Sequence, residues 1–250
     1  VRIGVFDSGV GGLTVMRSLY KSSLFSEIIY FGDTARVPYG SKDKNTIIRY
    51  SLEAVEFFKN FNIELLVVAC NSVSASAIPQ MREEANFPII GVVEAGVLAL
   101  KNSLVKIDDN ILVIGTKTTI SSNIYQRLLG DLGFCNIEAI ETGLFVPIVE
   151  EGIFKGKVLD ATMEYYFQNL KRHPKYIILG CTHFPLIASA IEEYFTKQGQ
   201  KPILIHSGDA IMEYLKNIYP NLREQDTQTK FFASENPNKL KEIAKQWLNL

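Results

Sequence analysis

Leu65-Leu66-Val67-Val68-Ala69-Cys70-Asn71-Ser72 and Tyr176-Ile177-Ile178-Leu179-Gly180-Cys181-Thr182-His183 are the two stretches whose reading decides the fold. Each is an apolar run too short for a helix and rich in Val, Ile or Leu, which reads as a buried strand. Each run ends in a cysteine followed by a small polar residue, and helical patterning resumes at Ser74–Glu84 and Phe184–Phe195. A parallel strand that feeds a helix puts its last residues at the edge where open α/β sheets bind ligands. Backbone N–H groups at a helix start favour a thiolate, so both cysteines are expected to fall below the ordinary thiol pKa of about 8.5.

Upstream of each cysteine lies a second run of the same kind. Ile3-Gly4-Val5-Phe6-Asp7-Ser8-Gly9 precedes Cys70, and Ile111-Leu112-Val113-Ile114-Gly115-Thr116 precedes Cys181. Asp7 and Cys70 are 63 positions apart, Thr116 and Cys181 65, so one strand–helix plan reads as used twice. Two such halves facing each other place one cysteine on each side of a single cleft. Further strands read at Glu27–Phe31, Pro88–Val92, Cys135–Ile140, Pro202–His206 and Lys230–Ala233. Asp43–Phe61 reads as a long amphipathic helix capped by Asp43, with Ile47, Leu52, Val55 and Phe58 on its buried face. The alternation predicts an α/β fold with mainly parallel sheets and right-handed crossovers.

A chain of 250 residues, 47% hydrophobic and 21% charged, suffices for one large domain or two small ones without staples. A net charge of −1, with Lys and Arg scattered, gives no footprint for nucleic acid. No apolar run approaches the roughly 18 residues of a membrane span. Val1-Arg2-Ile3-Gly4 enters a strand directly, which leaves no room for a signal peptide. Three widely spaced cysteines make no disulfide framework, so free thiols in a reducing, cytoplasmic setting are expected.

Several chemistries compete at these residues. Asp7-Ser8-Gly9-Val10-Gly11-Gly12 resembles the start of a dinucleotide fingerprint, but Thr14 stands where its third glycine belongs. The turn can also bind another anion or none. Thr116, Thr118 and Thr119 can cap the helix read at Ile120–Leu129 or contact an anion. Cys181, His183 and Cys70 lack recognisable zinc spacing. Cys135 has no motif around it and reads as a small buried apolar residue. His173 reads as solvated, and His206 as a residue of the site's rim. A Cys–His hydrolase uses one cysteine and leaves the other without a role. Two thiols across one cleft suit proton transfer between the two faces of a carbon, with Asp7 assisting Cys70 and His183 assisting Cys181.

Taken together, these stretches resemble the cofactor-independent aspartate/glutamate racemases, and among them the glutamate racemases. The matching residues are Val5–Leu13, Val37-Pro38-Tyr39-Gly40, Ala69-Cys70-Asn71-Ser72, Gly115–Thr119, Phe145–Gly152 and Leu179–Leu186. They cover the chain in the family's order. The resemblance implies two similar α/β domains related by a pseudo-twofold axis, with the active site in the cleft between them. It implies a first domain of residues 1–92 plus 207–250 and a second of 93–206. It implies Cys70 and Cys181 as acid/base thiols, with Asp7, Glu150 and His183 assisting. Asp7, Ser8, Tyr39, Gly40, Asn71, Ser72, Thr116, Thr119, Thr182 and His183 would hold the substrate. No cofactor and no metal are implied. The implied reaction interconverts L- and D-glutamate, with D-glutamate passing to bacterial peptidoglycan in the cytoplasm, and the implied assembly is a homodimer. Ser72 and Thr142 depart from the residues that family often carries, Thr and Cys respectively.

Overall fold

The structure, a computed structural model, describes residues 1–102 and 105–248 of the chain. The first half runs β1 (Arg2–Asp7), α1 (Leu13–Lys21), β2 (Glu27–Gly32), α2 (Lys44–Lys59), β3 (Leu65–Val68), α3 (Asn71–Ser76), α4 (Ile78–Glu84), β4 (Ile89–Gly91) and α5 (Val92–Asn102). The second runs β5 (Ile111–Gly115), α6 (Lys117–Ser121), α7 (Ile124–Asp131), β6 (Ile137–Glu141), α8 (Phe145–Glu150), α9 (Lys157–Phe167), β7 (Tyr176–Gly180), α10 (Ala188–Lys197) and β8 (Ile203–Ile205). The chain then adds α11 (Ser207–Ile218), β9 (Gln228–Ala233) and α12 (Pro237–Leu248).

Two separate sheets result, and every strand pair in both is parallel. One has the order β4-β3-β1-β2-β9, the other β6-β5-β7-β8. Read from β2, the first sheet runs β2-β1-β3-β4, and the second runs β6-β5-β7-β8. The two plans coincide, and β9 is an extra strand returned from the end of the chain. The register refines the match. β1 pairs Phe6 with Val68, whereas β5 pairs Gly115 with Gly180. Carried on, these registers set Ser8 opposite Cys70 and Thr116 opposite Cys181, so Ser8, not Asp7, is the counterpart of Thr116.

The inner strands β1, β3, β5 and β7 are apolar on both faces because helices cover both. Ile3, Val5, Leu65 and Val67 pack with α1, α11 and α12, while Phe6, Leu66 and Val68 pack with α2 and α4. In the second sheet Val113 and Ile178 face α5 and α7, and Leu112, Ile114 and Leu179 face α8, α9 and α10. Burying one such side chain stabilises by about 1.5–3 kcal/mol. That exceeds the few tenths by which helix and strand preferences differ, so burial decides the assignment. α5 lends Val92 and Ala95 to one core and Val93 and Val97 to the other, and so joins the two sheets.

Local chemistry accounts for where the helices depart from the sequence reading. The run Ser74–Glu84 breaks into α3 and α4 at Ala77, and Pro79 lies in the first turn of α4. Proline lacks the N–H a continuous helix needs and collides with the carbonyl four residues back. Pro185 likewise converts Phe184–Ile187 into a 3₁₀ turn before α10. The helix read at Ile120–Leu129 begins earlier, capped by Thr116, and is interrupted at Asn123, which adopts left-handed backbone. Asp43 caps α2 by accepting from the Thr46 N–H at 3.0 Å. The buried face of α2 is Ile47, Ser51, Ala54, Val55 and Phe58, and Leu52 is only half-buried. Cys135 precedes β6 and is exposed, contrary to the buried reading.

Candidate active site

The ends of β3 and β7 carry Cys70 and Cys181 to one cavity of about 450 Å³. That volume lies in the range of small-molecule sites. Ser8, Cys70, Asn71 and Ser72 line it from the first sheet. Thr116, Lys117, Gly180, Cys181, Thr182 and His183 line it from the second, and Val146, Pro147 and Glu150 of α8 close one side. Both thiols are free and buried. A larger cavity, of about 670 Å³, lies among α1, α11 and α12. Arg17, His206 and Trp247 line it, so His206 is not on the rim of the cysteine cavity. His173 is exposed, with Nδ1 2.6 Å from Gln200 Nε2.

Asp7 does not reach the cavity wall. It is wholly buried beneath the glycine turn, where Oδ2 accepts the Gly9 N–H at 3.0 Å. The anion that the turn cradles is therefore the chain's own carboxylate. Gly12 has to be glycine, since a Cβ there would lie 2.4 Å from Asp7 Cβ. Burial raises the Asp7 carboxyl above its ordinary value, against the pull of His183 and of the N–H groups of Gly12, Gly9 and Ser8.

Cys70 stands at the N-cap position of α3, makes no side-chain cap there, and donates its Sγ–H to Ser8 Oγ at 3.5 Å. Burial pushes its thiol up to about 12, and the Asp7 charge adds to this. The expectation of a depressed pKa is overturned here: loss of solvent around the thiolate outweighs the N–H groups at the helix start. Cys181 has a different partner. Its Sγ lies 3.7 Å from His183 Nδ1, and His183 Nε2 lies 3.2 Å from Glu150 Oε1. The latter is an ion-pair contact without the alignment of a hydrogen bond. Burial pulls the His183 imidazolium down, but the Cys181 and Glu150 contacts outweigh it and hold the group up at about 10. The two thiols thus differ: Cys70 faces a carboxylate, Cys181 a cation.

The hydroxyl-bearing residues form the seam between the halves. Ser72 Oγ lies 2.9 Å from Thr116 Oγ1, which lies 3.2 Å from Thr119 Oγ1. Thr119 is fully buried behind Thr116 and does not line the cavity. Thr118 Oγ1 donates to the carbonyls of Gly40 and Lys42, and Thr14 Oγ1 donates to that of Thr182 at 2.8 Å. The Tyr39 hydroxyl donates to Asp33, so Tyr39 and Gly40 offer the cavity backbone and ring, not the phenol. Gly40 admits Thr116 closely, since a Cβ there would lie 2.6 Å from Thr116 Cβ. Sequence reasoning missed Tyr125, whose hydroxyl accepts from Asn71 Nδ2 at 2.8 Å. It also missed Lys117 as a lining residue, although the adjacent Thr116 marks the place. No helix among the described residues is long and apolar enough to cross a membrane.

This arrangement has relatives. A glutamate racemase of a Nitratiruptor species is 61% identical over 249 residues, covering 99% of this chain and 96% of the relative. The crystal structure of glutamate racemase from Campylobacter jejuni subsp. jejuni superposes with a TM-score of 0.96 at 52% identity, covering 100% of this chain and 99% of that one. The glutamate racemase of Francisella tularensis subsp. tularensis, crystallised with D-glutamate, gives 0.86 at 30% identity, covering 100% and 94%. The family model for Asp/Glu/hydantoin racemases matches residues 7–215, a span that runs from the buried Asp7 through both cysteines. By strand plan, site and sequence alike, this chain belongs to the Asp/Glu/hydantoin racemase family.

Proposed function

We propose that this protein interconverts L- and D-glutamate without a cofactor, using Cys70 and Cys181 as its two acid/base groups. One observation carries the reading: two buried thiols end equivalent strands of two like-ordered sheets and line the same cavity. The relatives named glutamate racemase supply the substrate.

In one direction the thiolate of Cys181 takes the α-proton, and its S–H bond forms as the C–H bond breaks. The electron pair spreads into the substrate carboxylate. The S–H of Cys70 then delivers its proton to the opposite face, which leaves Cys70 as thiolate and Cys181 as thiol. The reverse direction exchanges the roles. His183, protonated, donates to Cys181 and offsets the negative charge that sulfur carries as base. Asp7 has the opposite effect on Cys70 and favours its protonated state. Asn71, Ser72, Thr116, Thr182, Ser8 and the Tyr39-Gly40 backbone would hold the substrate's polar groups, with Thr119 acting through Thr116. Hydrogen bonds fixed in advance and exclusion of water stand in for a cofactor in stabilising the carbanion.

The further reading follows the resemblance: domains of residues 1–92 plus 207–250 and 93–206, a homodimer, a cytoplasmic setting, and D-glutamate supplied to peptidoglycan. The test is circular dichroism of purified protein followed in time with L-glutamate, D-glutamate and both aspartates, with no additive. Decay to zero from both glutamate enantiomers is expected. A flat trace with glutamate and decay with aspartate would reassign the substrate.

A further inference from the structure

The side-chain amide of Asn71 has a protein partner at one end only. Asn71 lines the cavity yet is almost wholly buried, with a relative exposure of 2%. Its Nδ2 donates to the Tyr125 hydroxyl at 2.8 Å, while Oδ1 is buried and has no hydrogen-bond partner among the described residues. A buried carbonyl oxygen without a donor costs about 1–3 kcal/mol. A cost of that size in a cavity wall points to a donor that arrives with the ligand.

Tyr125 comes from the other half of the molecule. It lies on α7, in the core of the second sheet, with 1% of its surface exposed. Its ring packs beside Gly180, where a Cβ would lie 3.4 Å from Cε2. Gly180 directly precedes Cys181, so one ring spans from the end of β7 to the start of α3. Burial raises the phenol far above its ordinary pKa, and the hydroxyl is neutral at every working pH.

We infer that Tyr125 is a positioning residue: its hydroxyl fixes the Asn71 amide so that Oδ1 faces the cavity and accepts from the ammonium group of the amino-acid substrate. This rests on the racemase reading above. A side-chain amide has a broad, roughly two-fold terminal torsion. Without the tyrosine hydroxyl, Nδ2 loses the partner that holds it on the protein side, and the terminal torsion is free to turn. The flipped amide presents an NH₂ to a cation, which is repulsive. Because the oxygen belongs to the second half and the amide to the first, the pair also sets the substrate's ammonium site by the closeness of the halves.

The test is a double-mutant cycle on the full chain. Tyr125→Phe keeps the ring and removes only the hydroxyl, and Asn71→Ala removes the amide. KM and kcat for both glutamate enantiomers are measured for the wild type, each single variant and the double variant. Tyr125→Phe is expected to raise KM about 3- to 10-fold, the equivalent of one hydrogen bond between neutral groups, with a smaller change in kcat. In the Asn71→Ala background it is expected to change KM less than about twofold, because the group it acts through is gone. The same factor in both backgrounds, or a loss in kcat alone, overturns the inference. Wild-type turnover, measured first, separates the two ideas: racemisation intact with no coupling between the sites sinks only the role of Tyr125.

Discussion

His183 Nε2 lies 3.2 Å from Glu150 Oε1, which ties the last residue of α8 to the loop after β7 and sets a carboxylate behind the imidazole that faces Cys181. The pair gives the site its pH dependence. With both partners in place His183 stays protonated up to about pH 10. As the pH rises through that value the cation beside Cys181 is lost, and kcat/KM should fall. Glu150→Gln removes one of the two contacts that hold the imidazolium up, so its pKa drops and the falling limb moves toward neutral pH. The shift should be modest, since Glu150 is 38% exposed and partly screened. Rate profiles of both proteins across the alkaline range check this; superimposable limbs would remove Glu150 from the mechanism.

Replacing either thiol should stop full racemisation. Cys70→Ala and Cys181→Ala are each expected to lose about 10³-fold or more in kcat, the usual worth of a positioned acid or base. Both should keep the fold, because alanine leaves only a small gap beside each helix start. Far-ultraviolet dichroism and Tm establish the fold, and the time course of the substrate's circular dichroism establishes the loss. Wild-type turnover by either variant would be incompatible with two bases.

Asp7→Asn tests whether one helper serves one thiol. The enantiomers have equal free energy in achiral solution, so the ratio of their kcat/KM values is one for every variant. An asymmetry can appear only in kcat and KM taken separately. Removing the charge beside Cys70 should lower kcat more for one enantiomer, with KM for that enantiomer falling in parallel. Equal losses in kcat from both sides would detach Asp7 from Cys70.

Gly11 and Gly130 make a contrasting pair. A Cβ on Gly11 would lie 2.3 Å from Thr182 Oγ1 and 2.7 Å from His183 Cε1, whereas one on Gly130 meets nothing within 4 Å. Gly11→Ala is expected to cost about 1–3 kcal/mol of stability and at least tenfold in kcat through displacement of His183. Gly130→Ala, on α7, should stabilise by up to about 1 kcal/mol and leave the kinetics unchanged. Denaturant titration and initial rates on both variants give the comparison.

Much of this site was legible because its signals are local. β3 and β7 announce themselves as short apolar runs that stop at a cysteine, and the cap at Asp43 needs only the residues beside it. The shared strand plan was half legible: spacing matched Asp7 with Thr116, and only the register moved the match to Ser8. The acidity of Cys70 was misread because a helix start is a local feature, whereas burial and the Asp7 charge are tertiary. Leu52 was placed on the buried face of α2 because leucine is apolar, while the neighbouring packing chose Ser51. Tyr125 was invisible for the same kind of reason. It meets Asn71 across 54 positions, and nothing near Tyr125 in the chain points there.

β9 pairs with β2 along six residues, Gln228–Ala233 against Glu27–Gly32, and Lys230 reaches Glu27 at 2.7 Å. This makes the order of synthesis matter. The second sheet has all its strands once Ile205 has been made, but the first must wait for almost the whole chain. Until then β2 is a bare edge of unpaired N–H and C=O groups, the kind of edge on which chains aggregate. A ribosome that stalls after β8 would release a protein with both cysteines in place and an adhesive flank. Loss of the last 45 residues would accordingly show itself as insolubility before it showed as lost turnover.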